Sequence, residues 1–315
     1  MHRHLLTGVS ALAAACLAGT AIAGEGASRF IENETISSVV GDFQFVKGFP
    51  TPETTKKLFD VRTTYRVMEV IQQNTFAASL YAMRKGYADA GAGKPNQVLV
   101  WFDRMDAKSE FLTANSDTVY AMTFLDLKTD GPTVVEAPAR MIGFVDDMWM
   151  RYITDIGAAG PDKGEGGKFL ILPPGYEGEV PEGYFTATSR TYGVWLALRA
   201  RLDADGGNTE AKALYEQLKI YPLSQADNPP PTKLINASGV EMFTVHPENY
   251  GLLEELGKLV EEEHPDAVDG AQKFLLAAVG MEFGKPFAPD DEQKPLLEKA
   301  ARVGAALLRT NMWEY

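Results

Sequence analysis

The sequence predicts an α+β protein: an antiparallel β-sandwich preceded by one long helix and followed by a helical region. Three observations carry that prediction. Residues 52–86 bear apolar positions at helical spacing, residues 98–205 break into short alternating runs, and helical spacing returns beyond them. In the first helix Thr51 can cap, Pro52 takes the first helical position, and Val67, Val70, Ile71, Ala78, Tyr81 and Met83 form the stripe. Ala90-Gly91-Ala92-Gly93 ends it.

The alternating runs are Val98–Phe102, Thr118–Leu127, Thr133–Ala137, Met141–Val145, Trp149–Ile156, Phe169–Leu172 and Tyr184–Thr188. They are rich in β-branched and aromatic residues, and Gly, Pro, Asp or Asn stands between most of them. Gly157–Lys168 holds five glycines and reads as a loop between strands. Tyr192–Leu202 reads as a buried strand closed by the turn Asp203-Ala204-Asp205-Gly206-Gly207. Helices are expected over Thr209–Leu218, Pro247–Glu263, Asp266–Val279 and Asp290–Thr310, with Asn228-Pro229-Pro230-Pro231 as a stiff spacer. The expected organisation is therefore an opening segment over residues 24–50, a helix plus sandwich over 51–205, and a mainly helical region over 206–315.

Composition bounds the chemistry. The 315 residues include 43 acidic and 30 basic side chains, a net charge of −13. No Lys/Arg run interrupts that balance, which argues against nucleic-acid binding, where affinity rests on phosphate neutralisation. At the N-terminus, Arg3 precedes an apolar Leu5–Ala18 stretch, and Ala21-Ile22-Ala23 supplies a small-x-small cleavage pattern. Residues 1–23 are thus expected to be a secretory signal cleaved near Ala23, giving a periplasmic or secreted protein with no membrane span after cleavage. A membrane anchor and lipidation at Cys16 rank below this reading. Cleavage removes Cys16, His2 and His4 and leaves no Cys and only His246 and His264. A cysteine-free chain suits an oxidising compartment and lacks the ligands of zinc ribbons and iron–sulfur clusters. No cofactor and no metal are expected.

Three side-chain groups are candidates for ligand binding. Asn115, Asp117, Thr118 and Tyr120 lie at the start of a strand, where Asn and Asp can orient a ligand hydroxyl or simply fix an Asx turn. Asp146, Asp147 and Asp155 could share a proton, hold Ca²⁺ or act as an acid–base pair. Calcium-loop spacing is absent, however, and adjacent strand residues point to opposite faces. Arg151 is expected on the face of Trp149, Ile153 and Asp155, paired with a carboxylate or clamping an anionic ligand; Arg190 and Arg199 are likewise unusual among apolar strands. Gly160–Gly167 lacks phosphate-loop spacing, and no G-x-S-x-G occurs.

The stretch Phe111–Tyr120, with its Asn115-x-Asp117-Thr118-x-Tyr120 pattern, resembles the signature of the domain-of-unknown-function 1254 family. Leu125-Asp126-Leu127, Gly131-Pro132-Thr133, the run Trp149–Gly157, Gly166-Gly167-Lys168 and Leu172-Pro173-Pro174-Gly175-Tyr176 extend the resemblance in order. It implies a β-sandwich followed by helices and, in most members, a further domain of the unknown-function 1214 type, for which no residues follow Tyr315. The favoured functional expectation is an exported, non-catalytic module that binds a small molecule or saccharide, or serves as a scaffold. The alternatives are a carboxylate-dependent hydrolase and a subunit completed by a separate β-domain protein.

Overall fold

The computed structural model describes residues 32–110 and 116–313. The expected signal peptide and Cys16 lie outside the described residues. The chain divides into two compact units, the first ending at Thr63 and the second starting at Thr64.

The first unit holds three strands within what the sequence suggested was an opening segment: β1 (Glu34–Ser38), β2 (Gly41–Val46) and β3 (Phe49–Pro50), paired antiparallel in that order. Helix α1 (Pro52–Asp89) begins here. Thr51 caps it as expected, its Oγ1 accepting the Thr54 N–H at 3.2 Å. Phe43 is the buried apolar residue of the hairpin, and the Lys57 ammonium stands 5.3 Å from its ring centre.

The second unit is layered. One sheet has six strands, in the order β13 (Lys233–Asn236), β4 (Gln97–Val100), β5 (Thr118–Asp126), β11 (Gly193–Arg201), β7 (Ile142–Asp147) and β8 (Tyr152–Gly157). The other has four: β10 (Phe185–Thr188), β9 (Gly167–Leu172), β6 (Thr133–Ala137) and β12 (Lys219–Pro222). All pairings are antiparallel except β10 with β9 and β13 with β4. Val119, Ala121, Val145, Val194, Leu196 and Leu198 of the larger sheet meet Val135, Phe169, Ile171 and Ile220 of the smaller one in one apolar core. That is the expected sandwich. Its layers run past residue 205, since β12 and β13 join strands formed far earlier in the chain.

Helices cover the other face of the six-stranded sheet. They are α1 and α4 (Tyr250–Glu262), α5 (Gly270–Ala277) and α6 (Lys294–Trp313). Two short helices, α2 (Leu127–Asp130) and α3 (Thr209–Tyr215), lie in the β-rich part. Val67, Val70, Ile71 and Tyr81 of α1 share a core with Leu252, Leu256 and Leu259 of α4 and with Met122, Phe124 and Trp195 of the sheet. Gly304 of α6 allows close approach to α1, because a Cβ there would stand 2.7 Å from Ile71 Cδ1. Glu263 ties the end of α4 to the start of β11 by accepting the Tyr192 and Gly193 N–H groups. Burial nevertheless raises its carboxyl to about 7 against those hydrogen bonds.

One strand boundary differs from the sequence expectation. Trp149-Met150-Arg151 forms the β7–β8 turn rather than the start of a strand, with Met150 at φ 53°. The Asp147 carboxylate enforces the turn by accepting the N–H groups of both Trp149 and Arg151.

Candidate functional site

Strand register decides which candidates meet. On β11, Val194, Leu196 and Leu198 point into the sandwich, so Trp195, Ala197 and Arg199 point to the helical side. Tyr120 pairs with Arg199, Met122 with Ala197, and Phe124 with Trp195. On the other flank, Ile142, Phe144 and Asp146 of β7 pair with Arg199, Ala197 and Trp195. Asp155 of β8 pairs with Phe144, and Tyr152 with Asp146, across a bulge between Val145 and Asp146.

Asp146 and Asp155 therefore converge on the helical side of the β7–β8 edge, beside the Phe144–Trp195 ring pair with centroids 4.9 Å apart. Tyr152 completes this edge and is 67 % exposed. Partial burial, together with the charges of Asp147 and Asp155, pushes the Asp146 carboxyl up to about 6. No cation among the described residues offsets that.

Asp147 is buried at the end of β7. It accepts the Arg151 Nε–H at 2.7 Å, and the same guanidinium donates to the Ala267 carbonyl. The expectation that Arg151 shares a strand face with Trp149 and Asp155 is thus corrected: Arg151 sits in the turn, where its backbone and side chain both serve Asp147. Its guanidinium is engaged by the protein itself.

Asp117 is exposed and precedes β5, whose first residue Thr118 pairs with Arg201. Seven residue steps of extended chain separate Asp117 from Phe124, the residue in the row of Trp195 and Asp146, a span of about 23 Å. Tyr120 lies between, buried, with the Arg199 guanidinium carbon 5.8 Å from its ring centre. Asn115 lies outside the described residues. The candidates thus separate into a carboxylate edge (Asp146, Asp155), an ion pair of the β7–β8 turn (Asp147, Arg151) and a distant strand start (Asp117, Thr118, Tyr120). Phe144, Tyr152 and Trp195 were missed as site residues. The Trp195-x-Ala197-x-Arg199 spacing in an otherwise apolar strand was the signal for that face.

An edge with two carboxylates, one proton held near neutrality and an exposed aromatic ring can accept hydrogen bonds from hydroxyls while a ring stacks on an apolar ligand face. No group of three or more metal-ligating side chains suited to a metal ion occurs among the described residues. No helix of the described residues is long and apolar enough to cross a membrane.

Fold and motif together define a helix-covered β-sandwich of the type the Asn115–Tyr120 resemblance implied. Residues 95–222 match the family model described as "Protein of unknown function (DUF1254)". Among curated proteins none matches the chain. The fold is similar to that in the crystal structure of the VPA0106 protein from Vibrio parahaemolyticus, at a TM-score of 0.53 and 17 % identity. The similarity covers 78 % of this chain and 59 % of that one, so this chain spans about three fifths of that protein's length.

Proposed function

We propose that the protein is an exported, non-catalytic binding module whose ligand is a small polyhydroxylated molecule of saccharide type, held at the β7–β8 edge. The observation that carries this reading is the convergence of Asp146 and Asp155 beside Tyr152. Two acceptors and a stacking ring match alternating hydroxyls and C–H faces. Hydrolysis drawing on Asp117 fits less well, because Asp117 stands about 23 Å along the sheet from the row of Asp146. Asp147 is likewise turned away onto Arg151. Export rests on the Arg3, Leu5–Ala18 and Ala21–Ala23 pattern. It predicts a mature chain starting at Gly24, which intact-mass measurement of protein recovered from the cell envelope reads directly.

Thermal shift against a panel of neutral mono- and disaccharides tests the binding reading. At about a hundredfold excess over Kd, a bound sugar adds about 2.7 kcal/mol. Asp146→Asn and Tyr152→Ala abolish the shift without lowering the ligand-free melting temperature. A shift that survives both substitutions, or a panel without any shift, refutes the assignment, and release of reducing ends by the wild type would favour hydrolysis instead.

A further inference from the structure

A cavity lies within the second compact unit, where the start of β4, the end of α2, β12 and the proline run 229–231 come together. Its volume is about 310 Å³, at the lower end of the range of about 300–1,000 Å³ typical of small-ligand sites. We infer that it binds a small zwitterion of the free amino acid type, with Lys94 receiving the ligand's carboxylate and Asp130 its ammonium group.

Lys94 and Asp130 both line this cavity, yet no ion pair joins them, so each is left to a ligand or to water. Asp130 is half-buried, and burial with the nearby Asp126 charge holds its carboxyl above the ordinary value. Asp126 cannot substitute for it, since its own oxygens accept from the Lys128 and Thr129 N–H groups and the Thr129 hydroxyl. The Lys94 N–H is bonded to Gln97 Oε1, and the residue itself is exposed. A ligand of single charge satisfies one group and leaves the other unmet; an α-amino acid satisfies both.

The walls fit the rest of such a ligand. Pro95, Pro222 and Pro230 contribute rings with no N–H to compete for it, and their fixed φ keeps the cavity formed before binding. The hydroxyl of the wall residue Tyr221 is bound to Glu136, so its ring presents an apolar surface. None of these residues belongs to the Asp146 edge, and the inference stands apart from the saccharide reading.

Calorimetric titration of the purified chain with L-leucine, N-acetyl-L-leucine and L-leucinamide tests it. L-Leucine binds, and each blocked analogue binds at least about tenfold more weakly, a loss of one charge contact. Lys94→Met weakens L-leucine and leaves L-leucinamide unchanged; Asp130→Asn weakens L-leucine and leaves N-acetyl-L-leucine unchanged. Because neither charge is paired in the fold, both variants keep the parent melting temperature, which separates loss of the site from loss of structure. No heat of binding with L-leucine at about 10 mM, equal affinity for the blocked analogues, or indifference to both substitutions overturns the assignment.

Discussion

The two faces of the six-stranded sheet are made from the same strands and do opposite things. Toward the sandwich, β5, β7 and β11 present Val119, Ala121, Val145, Leu196 and Leu198, a closed apolar layer. Toward the helices, the same strands present Tyr120, Arg199, Phe144, Trp195 and Asp146, where rings, a guanidinium and a carboxylate share one surface. Alternation with period two makes this division possible: a strand can hold the protein together with one set of residues while the other set is free to carry polar chemistry. Adjacent carboxylates at the end of β7 also differ: Asp146 has its proton held near neutrality, and Asp147 is neutralised by Arg151 of the following turn.

Substitutions on the two faces should differ accordingly. Leu196→Ala on the sandwich face opens a cavity in the closed layer and is expected to cost about 3 kcal/mol in chemical denaturation. A loss below about 1 kcal/mol would mean that this face is not the cohesive one. Asp147→Ala leaves the Arg151 guanidinium and the Trp149 and Arg151 N–H groups without their acceptor. Because Arg151 is about a third exposed, water softens the effect to about 2 kcal/mol. Asp146→Asn on the helical face is expected to be neutral or slightly stabilising at neutral pH.

The smallest effect is a pH dependence. A carboxyl whose folded pKa is raised binds its proton more tightly in the folded chain, so protonation favours the fold. The Asp146 contribution is therefore full below about pH 4 and is lost as the pH rises through about 6; that of Glu263 is lost up to about 7. The melting temperature should fall from pH 5 to pH 7.5, and Asp146→Asn should flatten the lower part of that fall while sparing the upper. An identical slope in the variant would show that Asp146 titrates as an ordinary surface acid.

Much of this fold was legible because long elements carry long patterns. The stripe from Val67 to Met83 marked α1, and the apolar run Gly193–Arg201 with its closing turn marked β11. Strands β1 to β3 escaped notice because they are short and nearly all exposed, so no alternation of burial shaped their sequence. β12 and β13 are four residues each and flank a proline run, which dominated the reading of that segment. The site was less legible than the fold. Asp146 and Asp155 meet only through the β7–β8 register and its bulge, and neither can be counted along the chain. The turn at Trp149–Arg151 carries strand-like residues, and its cause, the Asp147 carboxylate folding back on two backbone N–H groups, is a local hydrogen-bond preference that hydrophobic pattern does not register.

The late arrival of β12 and β13 has a consequence for synthesis. β13 completes the outer side of β4, and β12 the outer side of β6, each strand joining a partner made more than eighty residues earlier. Until the polypeptide has been extended through Pro222 the β6 margin, and until it reaches Asn236 the β4 margin, is a raw row of unpaired amides and carbonyls. The ribosome thus releases the two layers half-hemmed, and an escort that shields such margins would be needed longest over this interval.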